Sequence, residues 1–201
     1  MANSDDQVSN KKQDLPIMIA NITPANIQQL KSINIATLPV RYTDKFYNDL
    51  LVQWGSEYMQ YAIWHGFNIA AVCARVEKHD VKEGFSRLYI MTINVLPAYR
   101  RKKIASRLLN YVLDLAKKDE KIIEAYLHVQ VTNNDAKQLY LSHGFEQTDY
   151  VKDYYKRIDN PHSFLLKKSL IEGHVVESTV DKVHVENTNS SHNDENNILI
   201  A

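Results

Sequence analysis

Four consecutive cations, Arg100, Arg101, Lys102 and Lys103, stand directly before the apolar helical stripe that begins at Ile104. The start of a helix carries partial positive charge and unpaired N–H groups, so it favours anions and disfavours cations. Cations placed there together with those donors form a site suited to a phosphate or pyrophosphate. The plainer alternatives are a solvated charge run on a loop and a short nuclear-localisation-like patch. His128 has the intrinsic pKa of a general base working near neutral pH; its plainer alternative is a satisfied cleft or core histidine. The single cysteine, Cys73, lies in the apolar run Ile69 to Ala74, which reads as core rather than as a nucleophile. The eight histidines are scattered without metal-ligand spacing, so no metal site is expected.

These residues need elements to hold them. The stretch from Arg87 to Val95 reads as a strand, with Tyr89, Met91 and Ile93 on one face and Leu88, Ile90 and Thr92 on the other. A turn at Leu96-Pro97-Ala98-Tyr99 leads into the basic run and the helix carrying Ile104, Leu108, Val112 and Ala116. Ile122 to Val131 reads as the next strand, with Tyr126, His128 and Gln130 on one face. Together these form one β-α-β unit, whose two strands bring Tyr89 and His128 toward one cleft. Upstream, Pro16 to Ala20 reads as a first strand, and Thr23-Pro24 as a helix start. Leu38-Pro39-Val40-Arg41-Tyr42 reads as an exposed loop, Thr43-Asp44 as a second helix start and Ile69 to Val76 as an interior strand. Downstream, Asn133 to His143 reads as a short helix stopped by Gly144, and strand follows from Phe145 through Tyr154-Tyr155 to an apolar patch at 164–166. The order of elements is α+β.

Composition bounds the function. The chain has 201 residues and 44% hydrophobic content, enough for one globular domain with a core. Five glycines are too few for a Rossmann fold or a P-loop, which need glycine-rich turns around phosphate. The formal net charge is zero, yet residues 171–201 carry net −5, residues 1–14 net −1 and residues 15–170 net +6. The expected organisation is a disordered arm over 1–14, a basic folded domain over 15–170 and an acidic, disordered tail over 171–201. A lone cysteine and the absence of an apolar leader or long apolar span lead us to expect a reducing compartment, cytoplasmic with a nuclear share, and no membrane.

The segment Arg100-Arg101-Lys102-Lys103-Ile104-Ala105 resembles the R/Q-x-x-G-x-G/A motif with which GNAT acetyltransferases hold the coenzyme A pyrophosphate. The segments LPVRYTDKFY (38–47), RLYIMT (87–92), LPAYRR (96–101), YLHVQVTN (126–133), HGFE (143–146) and YYKRI (154–158) resemble the NatE-type N-terminal acetyltransferases, collinearly over about residues 17 to 170. The resemblance implies a GNAT fold: a central mixed, mostly antiparallel twisted sheet flanked by helices, with a splayed β-α-β unit holding acetyl-CoA. It implies acetyl transfer to protein or peptide N-termini, methionine followed by a hydrophobic residue, with acetyl-CoA as the donor. It also implies docking on a NatA-type complex.

By the same resemblance Tyr89 and His128 are the base pair, acting through an ordered water. Coenzyme A would lie along the backbone of Ile93, Asn94 and Val95, then against Arg100, Arg101, Lys102, Lys103, Ile104, Ala105 and Ser106. Asn133 and Tyr140 complete that set, with Tyr140 beside the sulfur as a thiolate proton donor. Leu38, Pro39, Val40 and Tyr42 would grip the peptide from one side, and Met91, Tyr154 and Tyr155 from the other. The plainer roles are packing for Tyr89, an apolar anchor for Tyr140 and edge-strand packing for Tyr154-Tyr155. The chain departs from the family where glycine is usual: Lys103 in the pyrophosphate loop, Ala105, Ala70 and Asn94. Leu38 stands where phenylalanine is usual. A Cβ at 103 hinders close backbone approach to phosphate, while the lysine adds charge beside it. Three other functions fit parts of the pattern: a catalytically weakened GNAT scaffold subunit, a lysine acetyltransferase, and a nucleic-acid binder. The last lacks the interleaved aromatic and basic residues that single strands require, so no nucleic-acid partner is expected.

Overall fold

The computed structural model describes residues 14–39, 41–53, 57–156, 158–171 and 176. The expected N-terminal arm up to residue 13, Val40 and nearly all of the expected acidic tail lie outside them. The elements run β1 (Met18–Asn21), α1 (Ile27–Thr37), α2 (Asp44–Gln53), β2 (Met59–Trp64), β3 (Phe67–Lys78) and β4 (Ser86–Val95). They continue with α3 (Ile104–Ala116), β5 (Ile122–Gln130), α4 (Asn134–Ser142), β6 (Glu146–Val151) and β7 (Ser163–Ser169). The seven strands form one sheet in the order β1-β2-β3-β4-β5-β7-β6. Every pairing is antiparallel except β4 with β5, the strands of the β-α-β unit.

Each face of the sheet is closed by helices. Ile104, Leu108, Leu109 and Val112 of α3 pack with Leu88, Ile90, Leu127 and Val129. Leu30 and Ile33 of α1 and Tyr47 and Leu50 of α2 pack with Met59, Tyr61, Ala71 and Cys73. Cys73 is buried there as core, as expected, and burial pushes its thiol up to about 12.

Several local expectations are corrected. Helix α1 starts at Ile27, with Asn26 at the N-cap position but without a side-chain cap, because the Asn26 Oδ1 accepts from the Thr23 N–H at 2.7 Å in a turn through Thr23 and Pro24. Strand β2 was not anticipated; it joins β3 through His65-Gly66, both at positive φ (48° and 80°). A two-residue turn with both central residues in that region matches the twist of the flanking strands. After α4 come two strands, β6 and β7, and Tyr154-Tyr155 sit in the loop between them rather than on an edge strand.

Strand β4 carries the most consequential correction. Thr92 pairs with Cys73 but Ile90 pairs with Ala74, so Met91 is an extra residue, a β-bulge. The bulge reverses the alternation: Ile93 and Val95 join Leu88 and Ile90 on the α3 face, while Met91 packs on the α1–α2 side. Tyr89, Met91 and Ile93 therefore do not share a face.

Candidate active site

Parallel pairing of β4 with β5 runs only from Ser86–Ile122 to Tyr89–Tyr126. Beyond Tyr89 the two strands separate, although β4 continues to Val95 and β5 to Gln130. Backbone groups of Ile90 to Val95 on that side have no strand partner among the described residues, and a cavity of about 830 Å³ opens between the strands. Both the volume and the mixed lining are typical of a small-molecule site.

One arm of the cleft is the turn from β4 into α3. A short 3₁₀ turn at Pro97–Tyr99 ends in Arg100, whose Nε donates to the Val95 carbonyl at 3.1 Å. Arg101 and Lys103 both adopt left-handed backbone, with φ of 63° and 57°. Backbone of this kind, leading into a helix, makes an anion-binding concavity out of successive N–H groups. Lys103 is the N-cap of α3 and has no side-chain cap; its carbonyl accepts from Arg107 N at 3.1 Å. The first turn of α3 carries no acidic residue to compete for an anion. Arg101 reaches Asp135 at the start of α4 (3.8 Å), with both side chains exposed to solvent. Asn133 caps α4, its Oδ1 accepting from Ala136 N at 3.1 Å, and Tyr140 lies buried edge-to-face with Phe145.

The vertex holds a stack of aromatic rings. Tyr154 lies parallel to His128, with centroids 4.0 Å apart, and its hydroxyl is 2.9 Å from the Tyr89 hydroxyl. Tyr89 is itself sandwiched between Tyr126, at 4.7 Å, and the Arg75 guanidinium, at 5.2 Å. Glu77 backs this layer, accepting from Arg75 Nε at 2.7 Å and from the Tyr126 hydroxyl. Burial, reinforced by the nearby Arg87 charge, pushes His128 down to about 4. Burial raises Tyr89 and Tyr154 above the ordinary phenol range. At neutral pH all three side chains are therefore uncharged. His128 Nδ1 is buried without a hydrogen-bond partner among the described residues.

The other arm comes from two loops. Leu38, Pro39 and Tyr42 line it from the α1–α2 connection, where Tyr42 stacks on Phe46 at 4.0 Å. Tyr154 and Tyr155 line it from the β6–β7 loop, with the Tyr155 hydroxyl 3.3 Å from the His128 carbonyl. Met91 reaches it from the bulge.

The acetyltransferase (GNAT) family profile matches residues 27–145 of the chain. The chain belongs to the GNAT acetyltransferases. The zebrafish protein named N-alpha-acetyltransferase 50 is 42% identical over 154 residues, covering 77% of this chain and 89% of its own. The Drosophila melanogaster protein named probable N-acetyltransferase san is 39% identical, covering 77% of this chain and 81% of its own. The solved structure of Arabidopsis thaliana Naa50 with the bisubstrate analogue CoA-Ac-MVNAL superimposes with a TM-score of 0.69 at 38% identity, covering 76% of this chain and 98% of that one. The chain is thus an acetyl-CoA-dependent N-alpha-acetyltransferase with the GNAT α+β fold, and the weakened-scaffold and lysine-directed readings are not favoured.

This GNAT cleft gathers the residues expected from the sequence. Tyr89, His128, Met91, Ile93, Asn94, Val95, Arg100, Arg101, Lys103, Ile104, Ala105, Ser106, Asn133, Tyr140, Leu38, Pro39, Tyr42, Tyr154 and Tyr155 all line it. Lys102 does not; it is exposed outside the cavity wall. Val40 falls outside the described residues. Sequence reasoning passed over Thr37, Tyr99, Gln130, Gln138 and Ile158, which also line the cavity. Gln130 follows from the alternation that placed His128 on the cleft face of β5, whereas no local pattern places Ile158, the last residue of the YYKRI segment, in the cleft; only the path of the β6–β7 loop brings it in. The free backbone edge, the left-handed basic turn and the cavity's volume of about 830 Å³ fit acetyl-CoA as the donor substrate.

Proposed function

We propose that the protein transfers acetyl from acetyl-CoA to the α-amine of polypeptides beginning with methionine and a hydrophobic residue. The observation that carries this reading is the division of one cleft into two unlike arms that meet at Tyr89 and His128. The basic, left-handed turn suits the pyrophosphate, and the apolar and tyrosine walls suit a hydrophobic N-terminus whose backbone their hydroxyls can meet. The Arabidopsis neighbour's ligand, an acetylated Met-Val peptide joined to CoA, supports the same division.

Chemically, the amine nitrogen forms a bond to the thioester carbon, the carbon–sulfur bond breaks, and the nitrogen loses a proton while the sulfur gains one. A free α-amine has a pKa of about 8 and a lysine about 10.4, so the α-amine is far easier to present unprotonated at neutral pH. His128, held neutral and lining the cleft, is available as a proton acceptor through an ordered water. A weakly basic imidazole suits removal of the proton after attack begins, when the nitrogen has become strongly acidic. Tyr89 and Tyr154, joined hydroxyl to hydroxyl, fix the rings around that water. The left-over edge of β4 offers N–H donors where the thioester oxygen gains charge. Tyr140, buried and protonated, stands as the proton donor for the departing thiolate. Lys103 serves by charge where glycine would serve by closeness.

Purified protein with acetyl-CoA and a Met-Leu peptide tests the reading: acetylated peptide supports it. Absence of product both for the natural chain and for Lys103→Gly would sink it. The proposal extends to docking on a NatA-type complex in the cytoplasm and nucleus, motivated by the NatE-like segments; failure to co-sediment with that complex would remove the extension alone.

A further inference from the structure

Asn94 is buried on the coenzyme strand, just past the bulge, on the face opposite α3. Its Nδ2 donates to Asn34 Oδ1 at 2.8 Å, and Asn34 Nδ2 donates to the Tyr47 hydroxyl at 3.3 Å. The three side chains are 5%, 1% and 5% exposed, so the chain of polar groups crosses the apolar core between sheet and helices. A polar group buried this way is costly unless partnered, and once partnered it fixes its neighbours in one arrangement.

What it fixes is the peptide arm. Asn34 lies in the last turn of α1, and its backbone carbonyl accepts from Leu38 N at 2.9 Å, where the chain leaves the helix for the substrate loop. Tyr47 meets Tyr42 edge-on at 6.4 Å and Phe46 at 5.2 Å, the same Phe46 on which Tyr42 stacks. Both ends of the loop are therefore tied to Asn34, and Asn34 is tied to the coenzyme strand. We propose that Asn94, acting through Asn34 and Tyr47, is a positioning residue that sets the peptide wall at a fixed distance from the acetyl donor.

The inference rests on the two-armed reading of the cleft, but its test does not depend on that reading alone. Tyr47→Phe keeps the ring and removes only the hydroxyl; Asn94→Ala removes the other end. We expect Tyr47→Phe to raise the peptide KM about fivefold while acetyl-CoA KM stays unchanged and kcat stays within about twofold. Asn94→Ala should raise the peptide KM at least as much, and the double variant should be no worse than Asn94→Ala, because both cut one chain. In hydrogen exchange, the Leu38 amide should open faster in both variants while amides of α3 such as Leu108 stay protected. Lower melting temperatures with an unchanged peptide KM and an unchanged Leu38 amide would overturn the proposal and leave the network as core polar satisfaction. If the natural chain acetylates no peptide, the proposed function fails, yet the Leu38 exchange still decides the positioning role: selective opening supports it and uniform opening rejects it.

Discussion

The two arms of the cleft are built by opposite means. The coenzyme arm is a short basic turn whose Arg101 side chain is 85% exposed and whose order lies in its backbone, left-handed at two non-glycine residues. The peptide arm is side chain on side chain: Tyr42 on Phe46, Tyr154 on His128, and Tyr154 joined to Tyr89 by a hydrogen bond. An exposed charge is screened by salt and contributes little individually, whereas a buried stack contributes through every contact it makes. Substitutions should therefore act on the two arms through different variables. At the vertex and peptide arm they change turnover or peptide binding. At the coenzyme arm they change backbone strain and salt response.

The largest effect is expected at the vertex. His128→Ala should lower kcat by about 100-fold or more without loss of fold, since general-base help contributes roughly 10²–10⁴. A variant with unchanged turnover would reduce His128 to a packing residue and leave the vertex without a base.

Next in size is the response to acid. Burial lowers His128 to about 4 in the folded chain, against about 6.5 when unfolded. The unfolded chain thus takes up a proton that the folded chain refuses. The stability is fully present above about pH 6.5 and falls as pH drops toward 4, by roughly 3 kcal/mol from this group. His79 is also lowered by burial and acts in the same direction. Urea midpoints between about pH 7 and pH 4 measure the loss, and His128→Gln should flatten it. A flat profile in the natural chain would mean that folding does not desolvate the His128 imidazole.

A smaller effect separates strain from charge at Lys103. Its φ of 57° favours glycine, so Lys103→Gly should raise stability by up to about 1 kcal/mol despite the added freedom of the unfolded chain. A lower melting temperature would mean that the lysine side chain contributes more than its backbone costs. Smallest of all is the salt response. Raising salt from about 0.05 to 0.5 M should raise acetyl-CoA KM severalfold and peptide KM less than twofold. Equal responses would erase the contrast between the arms.

The coenzyme arm was the more legible of the two in the sequence. A basic run ahead of a strong helical stripe, inside a strand–helix–strand pattern, is a local signal, and Asn133 and Gly144 mark the ends of α4 as a cap and a left-handed stop at φ 78°. Pattern reading failed where one residue changes the phase. The bulge at Met91 sends Ile93 to the opposite face from Tyr89, and strict period two has no way to show an extra residue. Strand β2 was missed because Met59 to Ala62 are all buried, so no alternation marks it, and its turn uses His65 rather than asparagine before glycine. The strain at Lys103 is equally hidden, since a lysine is the wrong residue type from which to infer left-handed backbone. The peptide arm was named from resemblance to known relatives, but its stacking on His128 depends on the β6–β7 loop, whose path no local pattern encodes.

The central claim, that the two arms present an α-amine to an acetyl donor at Tyr89 and His128, is tested most directly with one peptide. It should begin Met-Leu and carry an internal lysine, and tandem mass spectrometry should locate the acetyl group after incubation with acetyl-CoA. The account predicts acetyl on the N-terminal nitrogen alone, with strong loss in His128→Ala. Acetyl on the lysine, or equal yield from the natural chain and His128→Ala, would contradict it.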